Sequence, residues 1–89
     1  MDFIWTSQNI DHVETSHGVT KEEVEEVFYN KPRYQISNSQ PDDPKRYLAF
    51  GQTDDGRYLV VVFVKMQNGN VKPFSARDMT AVEKRNYKK

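Results

Sequence analysis

Tyr58-Leu59-Val60-Val61-Val62-Phe63-Val64-Lys65-Met66 is the stretch whose reading decides the fold. An unbroken β-branched run with no proline or glycine reads as a central strand buried on both faces. Before it stands Thr53-Asp54-Asp55-Gly56, a hairpin turn in which Asp-Gly supplies the positive φ values that tight turns need. After it comes Gln67-Asn68-Gly69-Asn70, a second turn. Working outward, residues 46–52 alternate well enough to form a strand, with Tyr47, Leu48, Ala49 and Phe50. Residues 71–76 return as another, although Pro73 has no N–H to give the ladder. Residues 33–37 supply a fourth strand, and the polar segment 38–44, rich in proline and aspartate, is a loop. The hairpins make the meander antiparallel.

Helices flank it. Phe3-Ile4-Trp5 reads as a short first strand, after which Thr6 or Ser7 caps a helix running toward Glu14 with Ile10 and Val13 inward. His17-Gly18 stops that helix. Thr20-Lys21-Glu22-Glu23 is a capping box, opening a helix to about Tyr29 with Val24, Val27 and Phe28 on one stripe. Its acids near the N-terminus suit the macrodipole, and Lys31-Pro32 ends it. Thr80-Ala81-Val82-Glu83 is a second capping box and opens a basic C-terminal helix. The expected architecture is α+β in the order β-α-α-β-β-β-β-α, an antiparallel sheet packed by helices.

The 89 residues fit one domain over 1–89. With no cysteine, disulfides, thiolate metal sites and cysteine nucleophiles are excluded, which agrees with a cytoplasmic location. Met1–His12 has no basic segment followed by an apolar run and is not read as a signal peptide. No apolar run is long enough to span a bilayer, so no membrane partner is expected. The net charge of zero hides an asymmetry. Residues 1–44 carry three Lys/Arg against nine Asp/Glu, and residues 45–89 carry ten against four. That predicts a dipolar surface whose basic face suits a phosphate-bearing partner or an acidic protein.

No phosphate-binding glycine loop, nucleophile elbow or spaced His/Cys set is present, and the sequence calls for no cofactor or metal. His12 and His17 stand five apart, off any common helix face. The remaining candidates are Arg46, Arg57, Lys65, Arg77, Glu83, Arg85 and Tyr87. Metal-free RNA cleavage requires such a set: a base for the 2′-hydroxyl, cations for the phosphate and an acid for the leaving 5′-oxygen. Arginine suits the phosphate because its fork donates two parallel hydrogen bonds. Each residue also has a structural explanation. Arg46 guards a strand edge, Arg57 is solvated after a turn, and Lys65 snorkels from the strand end. Glu83 completes a capping box, Tyr87 docks its ring, and His17 ends a helix. Arg77, between a strand and a helix start, is hardest to explain that way.

Taken together, these residues resemble the BrnT family, the toxin half of a bacterial type II toxin–antitoxin pair. The pieces that carry the resemblance are Phe3-Ile4-Trp5, His17-Gly18-Val19-Thr20, Glu22 to Phe28, Arg46, Gly51, Asp55-Gly56-Arg57, Leu59 to Phe63, Ser75-Ala76-Arg77, Glu83 and Tyr87. The resemblance implies a RelE-like fold, a cytoplasmic ribonuclease that inhibits translation, and a cognate antitoxin of the ribbon-helix-helix kind. Contact with promoter DNA would come only through that antitoxin. It places phosphate handling on Arg77, more loosely on Arg46 and Arg57, and matches Glu83 and Tyr87 to the family's last helix. Thr6-Ser7-Gln8-Asn9 replaces the family's Asp-Pro-x-Lys, Val13 stands for an asparagine, and Ser16 for a lysine. The N-terminal cations of the family are therefore missing here.

Three functions follow as expectations: an endoribonuclease toxin acting on RNA such as ribosome-associated mRNA; a non-catalytic protein of the same fold that binds a partner; and a nucleic-acid-binding module. Arg77, Glu83, Tyr87 and His17 are the catalytic candidates. Arg46, Arg57, Lys65 and Arg85 are the RNA-binding candidates. The general base is open among His17, Glu83 and Tyr87.

Overall fold

In a computed structural model that describes residues 2–36, 46–66 and 68–88, three helices attend a four-stranded antiparallel sheet. The order is α1 (Ser7–His17), α2 (Lys21–Tyr29), β1 (Arg33–Ile36), β2 (Arg46–Gln52), β3 (Tyr58–Lys65), β4 (Val71–Asp78) and α3 (Ala81–Tyr87). The strands lie side by side in chain order, β1-β2-β3-β4. The loop expected over 38–44, Ser37 at the end of the predicted strand and Gln67 of the second turn lie outside the described residues.

Local chemistry accounts for the helix ends. Thr6 caps α1 by accepting from the Asn9 N–H at 3.1 Å, and Gly18 closes the helix at φ 63°. The helix thus runs one turn further than Glu14. Thr20 and Glu23 exchange both bonds of a capping box at the start of α2. The acids of α2 have specific partners as well as a favourable dipole. Glu25 accepts from the Trp5 indole at 2.9 Å, and Glu26 accepts the Asp54 N–H at 3.0 Å.

The predicted N-terminal strand is reduced to one residue. Phe3 bridges Val71 in parallel, and the Ile4 and Val71 amides close the pair at 2.8 Å each. Capping of α1 by Thr6 leaves too few residues for a ladder. The first hairpin is also looser than an Asp-Gly turn implies, since pairing begins at Gln52 and Tyr58 and leaves five residues between them. Gly56 takes φ 91° there. Pro73 is accommodated by a register shift at Val62/Phe63, which leaves Phe74 as the extra residue on β4.

The core lies between the sheet and the pair α1/α2. Val13, Val19, Val24, Val27 and Phe28 meet Ala49, Leu59, Val61, Phe63, Val71 and Ala76. Alternation sends Leu59, Val61 and Phe63 of β3 to this side, and Tyr58, Val60, Val62 and Val64 to the other. Val60 is buried there, but Val62 and Val64 are only half-buried. The second face of β3 is therefore less covered than its apolar run predicts, and α3, which has no buried residue, lies over one end of it.

At Gly51, α2 and the residues that follow it pack close against β2. A Cβ at this position would stand 2.9 Å from Val27 Cγ1 and 3.3 Å from Pro32 Cβ. Gly51→Ala is expected to destabilise the domain by about 1–3 kcal/mol through overpacking, read as a lower urea midpoint with an unchanged slope. An unchanged midpoint would show that α2 can shift away freely.

Candidate functional site

Strand alternation sorts the cations by sheet face rather than by half of the chain. Arg33 pairs with Phe50, Arg46 with Val64, Lys72 with Val64 and Arg77 with Val60, so all four project from the face away from α1 and α2. Arg33 comes from the acidic half, so the split in sequence is not the split in space.

On this open face cations rest on aromatic rings. The Arg46 guanidinium carbon lies 5.3 Å from the Phe74 ring centroid and Lys72 Nζ lies 5.6 Å from it. Lys84 and Lys88 bring their Nζ atoms to 5.6 and 5.1 Å from the Tyr58 centroid. Tyr58 meets Tyr87 edge to face at 6.0 Å, and Arg33 stands 5.9 Å over Tyr87. Interleaved cations and rings are what a single strand of nucleic acid meets on its binding proteins, since bases stack and phosphates pair.

Arg77 and Glu83 form a fork at one end of the face. Arg77 Nη1 and Nη2 donate to Glu83 Oε1 and Oε2 at 2.7 and 2.9 Å. Arg77 also donates to the Asp78 carbonyl at 3.1 Å. Glu83 Oε1 accepts the Thr80 N–H at 2.9 Å, and the Glu83 N–H donates to Thr80 Oγ1 at 3.1 Å. The Thr80 and Glu83 amides at the start of α3 are thus satisfied by its own capping box. The Arg77 hydrogen bonds pull the Glu83 carboxyl down to about 2, and Glu83 in turn raises the Arg77 guanidinium. Glu83 is therefore ionised at neutral pH but weakly basic while Arg77 holds it.

That coupling sets a pH dependence. Glu83 and Asp78 both have folded values below their ordinary ones, because of Arg77 and Arg57 respectively. The Glu83 stabilisation is present above about pH 4.5 and is lost as pH falls toward about 2, and that of Asp78 is likewise lost on the acid side of its ordinary value. Arg77 is 43% exposed, so solvent screening reduces the Glu83 contribution to about 1 kcal/mol. Glu83→Gln keeps the capping box and removes only the charge. It is expected to cost about 1 kcal/mol at pH 7 and close to nothing near pH 2, by urea unfolding. An equal cost at both values would place the effect elsewhere.

Tyr87 follows Glu83 by four residues, on the same face of α3. Arg46 joins the same sheet face four positions from Arg77 along β3, roughly 13 Å at the rise of a strand. Arg85 is exposed on α3, two positions from both Glu83 and Tyr87 and so on the opposite side of the helix, and makes no hydrogen bond or ion pair among the described residues. The other three candidates are elsewhere. Lys65 lies on the helix-bearing side, at a recess of about 330 Å³ with Phe28, Tyr34, Tyr47 and Phe63. His17 ends α1 on that side, and its carbonyl accepts from Arg57 at 3.2 Å.

Arg57 is fully engaged. Nε and Nη2 donate to the two Asp78 oxygens at 2.8 and 3.1 Å. Nη1 reaches the Gly18 carbonyl at 3.1 Å and Glu23 at 3.3 Å, and Nη2 also reaches the His17 carbonyl. The side chain ties the end of α1, the start of α2 and the end of β4 together.

The description "Ribonuclease toxin, BrnT, of type II toxin-antitoxin system" belongs to a family model that matches residues 5–83. The chain belongs to the BrnT family. No curated protein matches it. The BrnT match takes in Arg77 and Glu83 and ends before Tyr87, so the open face of this BrnT chain is mostly inside it. Membership implies an antitoxin partner and an RNA substrate. Among the described residues no helix is long and apolar enough to cross a membrane.

Sequence reading missed Arg33, Lys72, Lys84, Lys88, Tyr58 and Phe74 on this face. The parity of Lys72 relative to Arg77 is shifted by the bulge at Phe74; Pro73 marks the irregularity in the sequence but not which residue becomes the extra one. Arg33 needs the β1–β2 register before it can be placed.

Proposed function

We propose that this BrnT chain is a metal-independent endoribonuclease that cleaves RNA on the open sheet face and thereby inhibits translation. The observation that carries the reading is the Arg77–Glu83 fork beside rings already occupied by cations. A phosphate entering the face competes with Glu83 for Arg77. As Arg77 turns to the phosphate, Glu83 regains proton affinity and takes the proton of the 2′-hydroxyl. The 2′-oxygen bonds to phosphorus, the bond to the 5′-oxygen breaks, and that oxygen receives a proton from Tyr87. The products are a 2′,3′-cyclic phosphate and a 5′-hydroxyl. Arg77 compensates the charge that grows on the phosphate oxygens, with Arg46 holding the flanking backbone.

His17, Arg57 and Lys65 have no part in this arrangement, since they lie on the helix-bearing side. A cognate antitoxin of the ribbon-helix-helix kind, in the cytoplasm, completes the pair, and DNA contact comes through it. A second reading, a binding protein without catalysis, is favoured by one fact. Arg77 and Glu83 already neutralise each other, and the capping box explains Glu83 alone. The test is purified protein with labelled RNA and a chelator, and separately with translating ribosomes. Fragments ending in 2′,3′-cyclic phosphate are expected in at least one. Intact RNA in both leaves the binding reading standing.

A further inference from the structure

A cleft of about 370 Å³ opens between β1 and α3, next to the Arg77–Glu83 fork. Phe50 of β2 lines it from the sheet, and the Tyr87 ring lines it from α3, with Arg33 over that ring. Arg33 Nη1 also reaches the Asn86 carbonyl at 3.5 Å, which ties the wall on β1 to the wall on α3. Two carboxamides line the same cleft, Gln35 from β1 and Asn86 from α3. Neither side-chain amide makes a hydrogen bond among the described residues. Glu83 stands at the cleft as well, so its mouth adjoins the place where the phosphate would bind.

We infer that this cleft is a nucleobase-reading subsite, taking the base adjacent to the scissile phosphate, and that Gln35 and Asn86 determine which base is preferred. This rests on the ribonuclease reading of the open face. The chemistry points to a base for three reasons. The space is of the size that holds a small planar ligand. Its apolar lining is aromatic, which suits a π-face. Each carboxamide presents a donor and an acceptor side by side, the pattern that pairs with the amino group and ring nitrogen of adenine. Arg33, the guanidinium at the cleft, is turned over Tyr87 and toward Asn86, and Glu83 only accepts. The polar groups that remain therefore favour a base with an exocyclic amino donor over guanine's acceptor edge. Adenine is the preferred occupant.

The test is titration of the whole chain with 5′-AMP, 5′-GMP, 5′-CMP and 5′-UMP, followed by NMR of the side-chain amides and tyrosine rings. Saturable shifts are expected at Gln35, Asn86 and Tyr87, with AMP the tightest by about fivefold or more. Gln35→Leu and Asn86→Leu, both at exposed positions, should each weaken AMP about tenfold and bring the four nucleotides level. Shifts confined to Arg77 and its neighbours would mean that only the phosphate binds, and would overturn the inference. So would an unchanged order of the four nucleotides in both variants. Cleavage of RNA is a separate readout: base binding without cleavage would sink the ribonuclease reading and leave the subsite intact.

Discussion

Arg77→Ala should lower RNA cleavage about 100- to 1000-fold, the usual cost of removing one fixed donor aimed at developing charge. Growth arrest on induction should disappear with it. The fold should survive. Arg77 is 43% exposed and its loss frees a carboxylate that keeps its capping box, so the stability cost is about 1 kcal/mol. Arg77→Lys should recover little, because an ammonium cannot reproduce the two parallel bonds of the fork. Initial rates on labelled RNA, with urea unfolding of the same preparations, check both parts. Cleavage within threefold of wild type in a folded Arg77→Ala protein would remove Arg77 from the chemistry. Glu83 would then be only the partner in a helix cap.

Local signals in the sequence were the readable ones. Both capping boxes, at Thr20–Glu23 and Thr80–Glu83, form as their residues imply, because every group involved lies within four positions. The run from Tyr58 places β3 in the middle of the meander for a similar reason, with turns on either side. Phe3-Ile4-Trp5 has the composition of a strand, but strand formation depends on a partner and on room before the next element. Thr6 begins α1 too soon, and one bridge to Val71 is all that forms. The candidate site was legible in part. Arg77, Glu83, Tyr87 and Arg46 were named from residue type and meet on one face. Arg57 and Lys65 also carry positive charge, yet Arg57 is tied to the end of α1 and the start of α2 by its hydrogen bonds and Lys65 lies at the recess on the helix-bearing side. Residue type says what a side chain can do, while parity and register say where, and Pro73 signals an irregularity without saying that Phe74 is the residue that shifts parity.

Arg57 turns that distinction into a measurable contrast. Its five N–H groups go to two carboxylates and to the two carbonyls at the end of α1, and the side chain is 30% exposed. Arg57→Ala leaves Asp78 and Glu23 without their cation and the α1 terminus without its donors. A half-buried, many-bonded charge of this kind should cost about 2–3 kcal/mol when removed. A domain of this length holds only roughly 4–13 kcal/mol in total. The melting temperature should therefore fall by roughly 10–20 °C. Arg57→Lys should recover less than half, since one ammonium cannot span partners on α1, α2 and β4. Toxicity in cells should fall too, but through loss of folded protein. Assayed well below the melting transition, the folded Arg57→Ala protein should cleave RNA within about threefold of wild type, unlike Arg77→Ala. A variant that melts with wild type yet fails to cleave would show the opposite: Arg57 would then be gripping phosphate, and the clamp between the helices and β4 would be held by something else.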